Sequence, residues 1–288
     1  MPSIVPETAS LRRPPRWQML KWIGNKQRSA AAIAAYLPQT YRTYYEPFLG
    51  GGALLGTMAP ARGVAGDNMA TLIELWTMIR NQPERVLDYY TREWTRYARD
   101  RRGVYTEILA RYNAAPSGLD LLFLCRTCYG GVVRFTKAGQ MSTPLGVHLA
   151  VPPAALAERL AIWTPRLQGT TFRTASYEET IASAGPDDLI YCDPPYSFSQ
   201  AILYGAQSFA VEQMWRELAA AKERGAKIAV SIDGSKHSGD SQFAHAWPTG
   251  LFAREIFLEL GGSMLKRFQL ADGDTAAHRV SDRLLLSW

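Results

Sequence analysis

Four consecutive residues, Asp193-Pro194-Pro195-Tyr196, carry the densest chemistry in the chain, and they follow an apolar run at 188–192 that reads as a buried strand. A Pro-Pro pair after a strand can be a plain terminator, because proline donates nothing to a ladder. An acid before the pair and an aromatic after it point further, to an active site at the strand's carboxyl end. The combination suits methylation of an aromatic amine such as the exocyclic amine of adenine. That nitrogen's lone pair is delocalised into the ring, so it attacks poorly. Two acceptors gripping its N–H bonds favour a tetrahedral nitrogen with the lone pair released, and the Asp193 carboxylate and Pro194 carbonyl supply two. The stiff Pro194-Pro195 pair holds that carbonyl, and Tyr196 offers a face to a base taken out of its duplex. Preorganised dipoles then stabilise the amine as it becomes cationic. No covalent nucleophile is required, and Cys192, with no partner base, reads as a small hydrophobe beneath the site.

A second constellation is Glu46-Pro47-Phe48-Leu49-Gly50-Gly51-Gly52, a strand end running into a glycine turn. Glycines let backbone approach a ligand closely, and such a turn serves many nucleotide-like cofactors. No Lys-Ser or Lys-Thr follows, which argues against a nucleoside triphosphate loop. Asp67-Asn68 ends the next short strand, where an acid can take ribose hydroxyls or cap the following helix; the two roles are compatible. A third stretch, Lys21-Trp22-Ile23-Gly24-Asn25-Lys26, is by composition a basic, aromatic surface strip.

The elements needed to position these groups are those of an α/β fold. Residues 43–48 read as a strand, 53–58 as the start of a helix, 63–65 as a second strand, and Leu72, Leu75, Trp76 and Ile79 as one helix face. The alternation resumes with strands at 172–175 and 188–192, an amphipathic helix at 211–224 ending at Gly225, and strands at 227–232, 254–260 and 283–288. This predicts a mixed, mainly parallel seven-stranded sheet with the site at its carboxyl edge.

The middle differs. Residues 84–112 read as helical, with Arg92, Arg96 and Arg99 sharing a face that is either solvated or set against phosphates. Residues 125–140 read as a glycine-centred hairpin from which Arg126, Tyr129, Arg134 and Lys137 project. Cys125-x-x-Cys128 lacks the second pair a structural zinc needs, so both thiols are expected to point inward and no metal is expected. The expected division is therefore 1–81 with 166–288 as one domain and 82–165 as an inserted, mostly helical one.

The 288 residues, 47% hydrophobic and 20% charged, suit a globular protein. A net charge of +6 favours a polyanionic partner. No apolar run is long enough to span a bilayer, the first 22 residues lack the apolar core of a signal peptide, and three cysteines do not make a disulfide scaffold, so the expected compartment is the cytoplasm.

The order Trp22 to Lys26, Glu46 to Gly52, Asp193 to Tyr196 resembles the Dam-type, alpha-group adenine-N6 DNA methyltransferases, from about residue 20 to the end of the chain. The resemblance implies a Rossmann-like domain binding S-adenosyl-L-methionine, with Trp22 and Lys26 against its methionine part, the run Glu46, Pro47, Phe48, Gly50, Gly51 and Gly52 as cofactor loop, and Asp67 on its ribose. It places Ser176-Tyr177 at the cofactor adenine, where members often carry an acid. It also makes the insertion a target-recognition domain on double-stranded DNA that flips out its base, in a restriction-modification or protection context. Gly130-Gly131 stands where many members have Asn-Gly, and Phe135-Thr136-Lys137 departs from the GATC-reading pattern, so that specificity does not carry over. A monomer is expected. Two rival readings remain: another amino acceptor (cytosine N4, RNA adenine, a glutamine amide), and a DNA-binding module without catalysis. The segment 197–208 is expected to fold over the flipped base.

Overall fold

The computed structural model describes residues 13–195, 209–236, 247–262 and 279–288. Within them, β1 (Tyr44–Glu46), β2 (Gly63–Asp67), β3 (Thr170–Thr174), β4 (Leu189–Cys192), β5 (Lys227–Lys236), β6 (Arg254–Gly262) and β7 (Arg279–Leu286) form a seven-stranded sheet in the order β3-β2-β1-β4-β5-β7-β6. Every pair is parallel except those made by β7, which runs antiparallel to both β5 and β6. The mixed, mainly parallel, Rossmann-like sheet is therefore present. Chain order runs outward in one direction from β1 to β3 and in the other from β4 to β5, so the topological switch lies between β1 and β4. Open α/β sheets hold their ligands at that crevice. It is where Glu46 ends β1 and Asp193 directly follows β4.

Alternation along the strands fills both faces. Tyr44, Leu189, Tyr191, Leu284 and Leu286 belong to one buried core with α1 (Ala30–Tyr36), α2 (Ala53–Met58) and α3 (Ala70–Asn81). Tyr45, Ile190, Ile228 and Leu285 face α8 (Tyr177–Ile181) and α9 (Val211–Glu223) through Ile181, Met214, Trp215 and Leu218. The four α3 residues expected to face the core are all fully buried.

Between α3 and β3 the chain is mostly helical: α4 (Pro83–Arg99), α5 (Arg101–Ala114), α6 (Gly118–Thr127) and α7 (Pro153–Trp163). The single helical stretch expected at 84–112 breaks at Asp100, whose carboxylate accepts from Gly103 N and caps α5. These helices continue the first core: Trp76 of α3 lies against Trp163 of α7 with ring centres 5.2 Å apart.

The glycine-centred hairpin is a correction. Residues 125–127 are the buried last turn of α6, begun by Ser117 as N-cap, and Tyr129–Gly131 is a 3-10 turn. Only two isolated antiparallel bridges follow, Cys128 with Leu145 and Phe135 with Met141. The run Leu121-Leu122-Phe123-Leu124 on α6 is fully buried, and that apolar surface carries Cys125 and Arg126 inside with it. Both thiols of the Cys-x-x-Cys pair are free and buried. Among the described residues no helix is long and apolar enough to cross a membrane.

Candidate active site

A cavity of about 810 Å³ opens at the carboxyl ends of β1, β2 and β4. Its wall gathers residues 22–26, 46–54, 67–71 and 193–195, together with Tyr177 and Glu178 of α8 and Phe209 and Gln213 at the start of α9. Four stretches spread between positions 22 and 195 thus meet, three of them because strand ends meet. Tyr196 and the segment 197–208 lie outside the described residues.

The glycine turn is tied to the protein's own side chains. Gly50 N donates to Asp67 Oδ2 at 3.1 Å, Met69 N to Asp67 Oδ1 at 3.0 Å, and Trp76 Nε1 to Gly50 O at 3.1 Å. Asp67 therefore anchors the glycine turn and the Met69 amide just ahead of α3; the N-cap position itself is Met69, and its side chain makes no capping bond. Burial pushes the Asp67 carboxyl upward against those two backbone bonds. Gly52 has φ +63°, and a Cβ there would stand 2.9 Å from Trp76; a Cβ on Gly50, at φ +46°, would stand 3.1 Å from the Trp22 indole nitrogen. The glycines are needed to pass the protein's own tryptophans as much as to admit a ligand.

Acid and base groups stand close together at the switch. Lys26 Nζ pairs with Asp193 Oδ1 at 3.0 Å, both side chains largely buried. Glu46, 3% exposed, accepts a hydrogen bond from the Tyr44 hydroxyl at 2.6 Å. Burial raises its carboxyl to about 8; the Tyr44 bond opposes the rise and the Asp193 charge adds to it. Cys192 is buried behind Asp193, and its thiol is pushed far up by burial first and then by the two acids. A thiol so held is inert as a nucleophile.

Aromatic groups line the opposite wall. Phe48 stacks on Tyr177 with centroids 5.4 Å apart and planes at 22°, and Phe209 meets both edge-on. Ser176 does not line the cavity. Its hydroxyl accepts from Glu179 N while Glu179 accepts from Ser176 N, a capping box opening α8. The acid on this wall is Glu178, two residues on. The glycine and proline motifs gave no warning of Glu178, Asn25, Phe209 or Gln213, each of which reaches the wall from a helix start or turn.

The expected DNA contacts divide. Phe135, Thr136, Lys137 and Gly139 line the cavity mouth, and Arg134 and Tyr129 are exposed. Arg126 does not project: it is 3% exposed and donates to the carbonyls of Gln18 and Met19. Arg96 is engaged by Glu93 of its own helix and by Glu107 of α5, which ties α4 to α5; Glu93 is buried. Arg99 is exposed.

A family model, "D12 class N6 adenine-specific DNA methyltransferase", matches residues 22–256. The chain is 28% identical over 231 residues to a DNA adenine methylase of Vibrio cholerae, covering 76% of this chain and 82% of that one. It is 25% identical over 186 residues to the Type II methyltransferase M1.LlaDCHI of Lactococcus lactis, covering 61% and 64%. A solved structure, the rRNA methyltransferase AviRa of Streptomyces viridochromogenes, aligns over 91% of this chain and 83% of that one at 16% identity and a TM-score of 0.33; the strand order, not this alignment, carries the fold.

Proposed function

This chain belongs to the D12 class N6 adenine-specific DNA methyltransferases, and on that premise we propose that it moves the methyl group of S-adenosyl-L-methionine to an adenine flipped out of duplex DNA, with Asp193 at the reacting nitrogen. The observation that carries this reading is the meeting of Asp193 and the Asp67-anchored glycine turn in one cavity at the sheet's switch point. The cavity's size is that of a small-molecule site.

Its donor set suits the cofactor. The Phe48–Tyr177 stack offers apolar surface to a purine. Asp67, whose two oxygens each keep a second lone pair, and Asn68 suit ribose hydroxyls. Glu46, Pro47, Trp22 and Lys26 suit the charged amino-acid end. When bound, the cofactor supplies an electrophilic methyl group on a sulfonium. The chain's own residues do the rest. Asp193 and the Pro194 carbonyl accept the two amine N–H bonds, and Pro195 stiffens the turn. Lys26 fixes the carboxylate without exhausting its acceptors. Tyr196 is assigned the face of the extruded base.

On the DNA side, residues 82–165 are assigned target recognition, with 1–81 and 166–288 as the catalytic unit. Lys137, which lines the cavity, and the exposed Arg134 and Tyr129 reach base edges or phosphates; Arg99 reaches the flanking backbone, and Arg96 does so only by giving up its acidic partners. Similarity to a Type II methyltransferase favours a modification role beside a restriction enzyme, and three free, buried cysteines suit the cytoplasm. One monomer suffices for one pocket and one base.

Expression in a methylation-free bacterial host, followed by modification-sensitive long-read sequencing, tests the proposal. N6-methyladenine in a single short motif is expected, lost in Asp193→Ala while duplex binding persists. Cytosine N4 marks, or unchanged marking by Asp193→Ala, would defeat it.

A further inference from the structure

The chain just before the Trp22–Lys26 strip is held from above by the inserted helices. Arg126 of α6 donates to the carbonyls of Gln18 and Met19, and Arg159 of α7 donates to Gln18 O at 2.6 Å. Trp163 Nε1 donates to Trp17 O at 2.8 Å. Lys21 lies close to both arginines, and among the described residues none of these three cations has an ion-pair partner. Burying an arginine on carbonyls alone is costly, and the Arg126 guanidinium is held down to about 10, chiefly by burial. An apolar residue in this core would be a cheaper way to fill the space.

The contacts continue into the site. Gln18 Oε1 accepts from Asn25 Nδ2 at 3.0 Å, and Asn25 Oδ1 accepts from Gln27 N at 2.9 Å, opening the 3-10 turn that begins at Lys26. Lys26 then holds Asp193. The loop leaving α6 rests on the same strap, since a Cβ on Gly131 would stand 2.6 Å from the Lys21 side chain. We propose that Arg126 is a positioning residue for methyl transfer: it clamps the Gln18 and Met19 carbonyls and thereby sets, through Gln18 and Asn25, where Lys26 holds Asp193. The insertion and the catalytic acid are mechanically one unit. The rate effect rests on the methyltransferase reading above; the positioning of Lys26 does not.

The test uses the full chain as Arg126→Met, Arg126→Lys and Gln18→Leu. Acetylation of Lys26 by an N-hydroxysuccinimide ester, followed by mass spectrometry on ligand-free protein, reads how firmly the lysine is held. Single-turnover methylation of saturating duplex DNA, with DNA affinity measured alongside, reads the consequence. In Arg126→Met and Gln18→Leu, Lys26 labelling rises and transfer falls by about tenfold, the scale of one lost hydrogen bond, with DNA affinity within about twofold. Arg126→Lys recovers part of both. If Arg126→Met does not fold, Gln18→Leu decides, because it removes one half-buried amide and leaves the arginine clamp in place. Wild-type labelling, a wild-type transfer rate, or a loss confined to DNA affinity overturns the proposal. A wild-type protein that methylates no adenine defeats the functional reading instead, and the labelling still reports on the strap.

Discussion

Replacing Glu46 with glutamine should change how stability depends on pH. The carboxyl sits at 3% exposure with Asp193 as a charged neighbour, and burial raises it from an ordinary 4.5 to about 8. A raised acid favours folding while it is protonated in the native state. Between about pH 4.5 and 8 the native chain carries a proton that the unfolded chain has lost, so stability falls as pH rises through that window. Above about 8 both states are ionised and the whole cost is present. At about 1.4 kcal/mol per tenfold change in proton affinity, the full cost is on the order of 5 kcal/mol. Glutamine cannot ionise, yet it keeps an acceptor for the Tyr44 hydroxyl, which lies 2.6 Å from the carboxylate. Urea unfolding of both proteins at pH 5, 7 and 9, without ligand, reads the difference. The two should differ little at pH 5, and Glu46→Gln should gain several kcal/mol on the wild type by pH 9. A difference that moves by less than about 1 kcal/mol across that range would mean that Glu46 is already ionised at pH 5, and the burial argument would fail.

Three further outcomes follow from the same wall. Asp67→Ala leaves the amides of Gly50 and Met69 without their acceptor, so thermal unfolding should show a loss of about 1–3 kcal/mol, and calorimetry with S-adenosylhomocysteine a weaker affinity. Gly52→Ala forces a Cβ into a left-handed position 2.9 Å from Trp76; a cost of about 1–3 kcal/mol in urea unfolding is expected, and an unchanged midpoint would show that the turn is softer than it looks. Lys137→Ala, at the cavity mouth, should make the plot of log affinity against log salt for duplex DNA shallower by about one, whereas an unchanged slope would remove Lys137 from the phosphate contacts.

Most of the sheet was legible in the sequence because its signals are local. Apolar runs such as 188–192 and turn residues such as Gly50 to Gly52 mark strand ends wherever they occur, and strand ends meet at the switch point. Arg126 misleads for the opposite reason. Between two cysteines and ahead of two glycines, an arginine reads as the exposed tip of a hairpin; only the packing of Leu121 to Leu124 shows that the helix runs on through Thr127. Ser176 shows the same limit on a smaller scale. Its neighbour Tyr177 does line the cavity, but a serine three residues before Glu179 also fits a capping box, and local backbone satisfaction took it.

The glycine turn shows how the two kinds of information combine. From sequence, three glycines indicate room for a ligand. The structure adds that Trp22, Asn25 and Trp76 already occupy the sides where Cβ atoms would go, and that Asp67 and Trp76 bind Gly50 at its N–H and C=O. A turn closed on three sides by its own protein presents a fixed surface on the fourth. The same Trp76 that closes the turn lies against Trp163 of α7, so the shape of the cavity depends on the helices between α3 and β3. Arg126 makes a second link of this kind through Gln18. Two routes lead from the helices at 83–163 toward the same 810 Å³ cavity: Trp163 touches Trp76, which binds the glycine turn, and Arg126 holds the chain ahead of the strip carrying Lys26. Deleting residues 82–165 should therefore deform the cavity rather than merely remove DNA affinity.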